Sequence, residues 1–249
     1  MFVLGLFLAI AIGLSLGLLG GGGSILTVPV FHYVLGAPAH DAITASLVVV
    51  GVTSTLALAP HARAGRVRWQ TGLVLGASSM AAAYLGGRVS SALPEVALMV
   101  AFATLMLVAG VAMLRRTGVP VAVTAIPSVE RVLAIGLAVG LLTGVLGVGG
   151  GFLIVPALVL IGGLEVRDAV GTSLLVIVLN TLGALAGTAA HTQLEASVLV
   201  PITGVAAFGS LLGVHLGRRL STHQLQRGFG GFVIVMGAAI LTFELVSLL

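Results

Sequence analysis

The chain has 249 residues, 59% of them hydrophobic and 7% charged, with a mean hydropathy of +1.25. A soluble domain carries about 25% charged residues, so the composition excludes a water-coated globule and gives an integral membrane protein. Cysteine is absent, which excludes thiol catalysis and disulfides, and all eleven basic residues are arginine.

The N-terminus, Met1-Phe2-Val3-Leu4-Gly5, lacks a basic leader and reads as the start of a retained helix over 2–19. That helix ends at Gly20-Gly21-Gly22-Gly23-Ser24, after which a short apolar piece over 24–36 carries Pro29. Three longer helices follow, near 41–60, 70–91 and 95–114. The segment 115–130, with Pro120 and Pro127, is a linker expected on the cytoplasmic side. The parade then recurs: a helix over 131–146, a break at Gly147-Val148-Gly149-Gly150-Gly151, and a short piece over 152–162 with Pro156. Helices near 168–190, 197–217 and 226–248 complete it. The short pieces cover roughly 16–20 Å at 1.5 Å per residue, less than the ~30 Å hydrocarbon core, so neither spans alone.

Pro29 and Pro156 stand 127 residues apart, and that shift lays Asp41-Ala42-Ile43-Thr44-Ala45-Ser46-Leu47 on Asp168-Ala169-Val170-Gly171-Thr172-Ser173-Leu174. A three-residue insertion then matches His61 to His191 and Gly87-Arg88 to Gly217-Arg218. Two copies of one unit, 1–114 and 131–249, are therefore expected. Arginine placement decides their relative orientation. If each opening pair is a hairpin, every arginine except Arg88 lies on one side of the membrane. If each pair makes a single crossing, the arginines divide almost evenly, against the positive-inside rule. The hairpin makes the second unit enter upside down. The expected fold is all-α, with two inverted-topology repeats of about five helical elements and Gly-broken first helices. Both termini are expected on the non-cytoplasmic side of a bacterial-type cytoplasmic membrane.

Paired Gly/Pro breaks in corresponding halves point to the binding site of a secondary transporter. A helix starting after Gly23 or Gly151 leaves its first N–H groups without intrahelical partners, and the helix dipole adds positive potential there. Such an end binds an anion without a charged side chain. Gly21, Gly22, Gly23 and Ser24 in the first copy, and Gly149, Gly150 and Gly151 in the second, are the primary candidates. The spaced glycines Gly13, Gly17, Gly136, Gly140 and Gly144 also fit close helix packing.

Thr44, Ser46, Thr172 and Ser173 sit early in the following helices, where a hydroxyl either donates to an oxyanion or bonds back to its own helix. Asn180 is the amide embedded in the apolar run from Val176 to Leu185, and Thr53 is its counterpart. Both are substrate-facing candidates. His32 is the candidate for proton coupling, with a hydrogen-bonded interfacial histidine as the competing reading. His61 and His191 read as loop residues, Asp41 and Asp168 as N-caps, and Arg88 as a snorkelling helix-end residue.

The glycine-rich break, the apolar residues ending in a proline and the Ala-x-x-Thr-Ser-Leu-type stretch, repeated in each half, resemble the sulfite exporter TauE/SafE family of membrane permeases. Gly65-Arg66-Val67-Arg68-Trp69 and Leu85-Gly86-Gly87-Arg88 are similar to the family's middle segment. The resemblance implies transport of small sulfur-containing anions, such as sulfite or organosulfonates, and the paired breaks add the expectation of a secondary transporter working by alternating access. Two departures stand out. Ser24 replaces the glycine found at Gly151, and Thr44-Ala45-Ser46 lacks the adjacent pair of Thr172-Ser173. The alternatives are an anion channel and a permease for carboxylates or other small anions. An enzyme is not expected, since no metal-ligand spacing, nucleophile elbow or dinucleotide fingerprint occurs. The expected partners are a small anionic substrate and the bilayer, with no cofactor, metal or nucleic acid. The pI near 11.1 reflects loop arginines, and an oligomer is allowed but not required.

Overall fold

A glycine turn sets the first hairpin. In the computed structural model, α1 (Phe2–Leu19) ends at Gly20, whose φ of 70° lies in the left-handed region that glycine enters without penalty. The chain then reverses into α2 (Gly22–Pro29), which runs back along α1. A methyl group built on Gly23 would stand 2.5 Å from the Ile12 carbonyl oxygen, and one on Gly5 would stand 3.0 Å from Leu35 Cδ2. An unbroken helix would separate Gly5 from Leu35 by about 45 Å, so the opening pair is a hairpin. Pro29 has no N–H to give the Ile25 carbonyl. Beyond it the helix widens into a π-turn over Val30–Val34, where Leu35 N–H donates to Val30 O at 3.1 Å. After Pro29 the helix thus changes pitch.

The remaining helices are α3 (Ala39–Arg63), α4 (Trp69–Ser90), α5 (Glu95–Arg115), α6 (Val129–Leu146), α7 (Gly151–Leu160), α8 (Val166–Thr188), α9 (Ala196–Gly217) and α10 (Thr222–Ser247). The structure describes residues 2–90, 93–115, 129–146, 151–188, 196–217 and 219–247. Among the described residues there is no strand, and five helices, α3, α5, α8, α9 and α10, are long and apolar enough to cross a membrane.

Helix bounds correct one expectation. Shifting α1 by 127 residues gives the bounds of α6, and the same shift carries α4 onto α9. No three-residue insertion intervenes there, because register follows the glycine contacts and not the Gly-Arg pairs at helix ends. Gly13 abuts Ala206 as Gly140 abuts Ser79, and Gly17 abuts Ser210 as Gly144 abuts Ala83. His191 and Arg218 lie outside the described residues.

Those glycines let α1 pack backbone to backbone on α9, and α6 on α4. The spaced glycines of α1 and α6 are therefore packing positions. Other pairings also come in exchanged sets: α4 on α8 with α9 on α3, and α5 on α7 with α10 on α2. The pairs α3–α8, α5–α10 and α2–α7 map onto themselves. Within its most apolar stretch α8 is 72% buried against 33% for α9 and α10, so α8 is central and the other two are peripheral. Phe7, Val108, Val200, Phe208 and Val235 point outward, as a lipid-facing belt requires.

A methyl at Gly17 meets backbone that cannot move aside, whereas one at Gly204 has nothing within 4 Å. Gly17→Ala is expected to lose about 1–3 kcal/mol through overpacking. Gly204→Ala should hold or raise the thermal midpoint in detergent, since alanine is the better helix former. Equal midpoints for the two variants would contradict the glycine-packed crossing.

Candidate functional site

Ser173, Ile177 and Asn180 lie on one face of α8, four and three residues apart, and they mark three levels of the candidate site. At the first level, Ser173 Oγ lies 3.0 Å from the Gly20 carbonyl oxygen and 2.8 Å from its own helix at Val170 O. The hydroxyl thus fixes the first glycine break to α8. At the second level the two breaks touch. A methyl on Gly151 would lie 2.5 Å from Gly21 Cα and 2.8 Å from Ile177 Cδ1. Ile177 is the middle residue of α8, so the contact falls at the helix midpoint.

α2 and α7 both begin at this contact. The N–H groups of Gly22, Gly23 and Ser24, and those of Gly151, Phe152 and Leu153, occupy first turns and have no intrahelical acceptor. Neither first turn carries an acidic residue, and Gly21 supplies no side-chain cap. The carbonyls of the first break are served instead: Ser24 Oγ donates to Gly21 O and Thr27 Oγ1 to Gly23 O, each at 2.7 Å. Satisfied acceptors beside uncapped donors make the place positive without any cation. Gly23 faces α1, so its lack of a side chain serves the hairpin as well. Gly149 and Gly150 lie outside the described residues.

The third level holds Asn180, 1% exposed. Its Oδ1 accepts a hydrogen bond from Ser79 Oγ on α4, and its Nδ2 is buried with no partner. An unmet buried donor costs about 1–3 kcal/mol, so this amide calls for an acceptor brought from elsewhere. Ser54 Oγ on α3 is likewise buried without a partner. Ser79 escaped the sequence reading, although a serine in an Ala/Gly-rich run carries the same signal that marked Asn180.

The other candidates distribute as follows. Thr44 and Thr53 donate to their own helix, at His40 O (3.1 Å) and Val49 O (2.7 Å), and Ser46 is buried in α3. Thr172 Oγ1 accepts from Arg68 N–H at 3.0 Å, which ties the loop after α3 to α8. His32 Nδ1 lies 2.9 Å from the Ala37 carbonyl and packs edge-on against Tyr33, at the far end of α2 from the breaks. Beside it Tyr33 O–H donates to the carboxylate of Glu244 in α10. Glu244 is buried, and a lone carboxylate in an apolar run was a signal the sequence offered.

Asp41 and Asp168 are not N-caps. Each sits inside a first turn, behind Pro38–Ala39 and Glu165–Val166 respectively. There the carboxylate meets the positive helix end, and Asp168 also ion-pairs with Arg68 at 2.6 Å from Nη2 and 2.8 Å from Nε.

Residues 5–240 match the family described as Sulfite exporter TauE/SafE. A probable membrane transporter protein of Xylella fastidiosa (strain Temecula1) is 34% identical, over 90% of this chain and 89% of its own length. A probable membrane transporter protein of Methanocaldococcus jannaschii is 26% identical over 95% of both chains. The Bacillus subtilis protein YdhB, described in the same words, is 24% identical over 84% and 86%. No solved structure matches.

Ser79→Ala removes the donor that orients Asn180 and leaves a second buried atom of that amide unpaired. It is expected to lower stability by about 1–3 kcal/mol, read as a fall in thermal midpoint. An unchanged midpoint would mean that Ser79 does not hold the amide.

Proposed function

The chain belongs to the sulfite exporter TauE/SafE family and is an integral membrane transporter, and we propose that its cargo is a small sulfur-containing anion. Sulfite and short organosulfonates fit the chemistry: compact, several oxygens wide, and able to accept hydrogen bonds in several directions at once. The observation that carries this reading is the contact of Gly21 with Gly151, where α2 and α7 both begin. An oxyanion at that level takes the N–H groups of Gly22–Ser24 and Gly151–Leu153, with Asn180 Nδ2 one turn beyond.

The two units are inverted in the membrane, with both termini on the non-cytoplasmic side. Arginine placement and the exchanged helix pairings support this arrangement. The backbone contact at the centre favours a carrier over a channel, since an anion passes only when the halves separate. Binding energy from the helix ends then stabilises the separated state and alternates access between faces. His32 is the residue for proton coupling.

In proteoliposomes, saturable counter-flow of sulfite or a short sulfonate is expected to exceed that of sulfate and acetate. Flux of none of them by folded protein would remove the substrate assignment. Asn180→Leu deletes both polar atoms, so the fold should survive or gain stability while flux falls about tenfold or more, the loss of a hydrogen bond to a charged ligand. Retained flux would move the site away from Asn180. His32→Gln is expected to abolish the response to a pH gradient and keep gradient-free exchange. A C-terminal reporter should be active on the non-cytoplasmic side alone, and cytoplasmic activity would contradict the inverted topology.

A further inference from the structure

One turn of α8 beyond Ser173, toward the arginine-bearing loops, a narrow cavity opens under the first glycine break. Its lining includes Leu18, Val170, Val214 and the buried His61, with the half-buried Arg66 and Arg167 as its charged rim. Val170 is also the residue against which Gly20 packs, with a methyl on Gly20 falling 2.9 Å from Val170 Cα. The cavity therefore ends where the candidate anion site begins. Its volume of about 20 Å³ holds about one water, too little for an oxyanion in this conformation.

The rim is built and held in place. The peptide N–H of Arg66 donates to His61 O at 3.1 Å, and its carbonyl oxygen presses on α8 where a methyl on Gly171 would come within 2.5 Å. Arg167 Nη2 donates to Leu220 O at 2.5 Å, which leaves the rest of its guanidinium fork for other acceptors. Neither arginine is ion-paired among the described residues. The nearby acids are engaged elsewhere, Asp168 with Arg68 and Glu165 with the Thr222 hydroxyl. Charge here is also one-sided. At a shift of 127 residues, Arg66 corresponds to Gln193 and Arg167 to His40, so the other half carries no permanent cation at these positions.

We propose that Arg66 and Arg167 form a docking site for a small oxyanion at the mouth of this cavity, distinct from the central helix-end site. It rests on the reading of the chain as an anion transporter. Guanidinium groups suit the task because their planar donors pair with two oxygens of one anion. The anion waits there until α1, α9 and α10 part from α3 and α8, and then passes Val170 to reach Gly20. The central site needs no charge because the rim has already gathered the anion from solution.

The chain contains no cysteine, which permits a local test. Ala64 lines the same cavity and its side chain is exposed, so Ala64→Cys reports on the mouth through its rate of labelling by N-ethylmaleimide. Methanesulfonate is expected to slow labelling saturably. In Arg66→Gln and in Arg167→Gln the half-protecting concentration should rise about tenfold, the loss of one charge-assisted hydrogen bond. Arg66→Lys and Arg167→Lys should keep most of the protection. Arg227→Gln, at an exposed arginine outside the cavity, should leave it unchanged. Absent protection in the parent, or protection that persists in the Arg66→Gln/Arg167→Gln double variant, overturns the docking site. Flux is read separately: protection without flux contradicts the transport reading and leaves the docking site standing.

Discussion

Hydrocarbon solvates no peptide group, so a helix broken inside a bilayer must find protein or ligand for every N–H and C=O it frees. This chain breaks two helices and brings the breaks together. Gly20 turns the first hairpin, Gly21 lies against Gly151, and Ser173, Ser24 and Thr27 reach the carbonyls of the first break. The accounting at the first break is lopsided: its acceptors are met by side chains, while the first-turn donors of α2 have no side-chain cap. An imbalance of that sign is what an anion relieves.

Such a contact demands small residues well beyond the breaks. Helices can bring Gly21 within van der Waals distance of Gly151 only if their neighbours also approach closely, and α1 on α9 and α6 on α4 do so through glycine against carbonyl. Packing and site are thus two consequences of one glycine distribution. Bulk would separate the crossing helices and pull the breaks apart with them.

The first hairpin was legible because arginine counts and a short apolar piece both required it. The contact of the breaks is visible in the fold, where Gly21 lies against Gly151. Register was misread at the helix ends, where a Gly-Arg pair recurs by chance while the crossing glycines keep strict spacing. The hydroxyls were ambiguous in sequence for a physical reason: serine and threonine serve equally well on their own helix, as Thr44 and Thr53 do, or across to another, as Ser173 does. Asn180 was legible because an amide cannot be satisfied by its own helix so cheaply. The arginine-rimmed cavity was not, since Arg66 and Arg167 lie 101 positions apart and only the fold places them on one mouth.

The most direct test of the central claim is anomalous diffraction from crystals grown with selenite, the heavier analogue of sulfite. The account predicts a selenium peak within hydrogen-bond distance of the first-turn N–H groups of α2 and α7, beside Ile177. Selenium bound elsewhere in the protein, with none at the meeting of the two breaks, would contradict it.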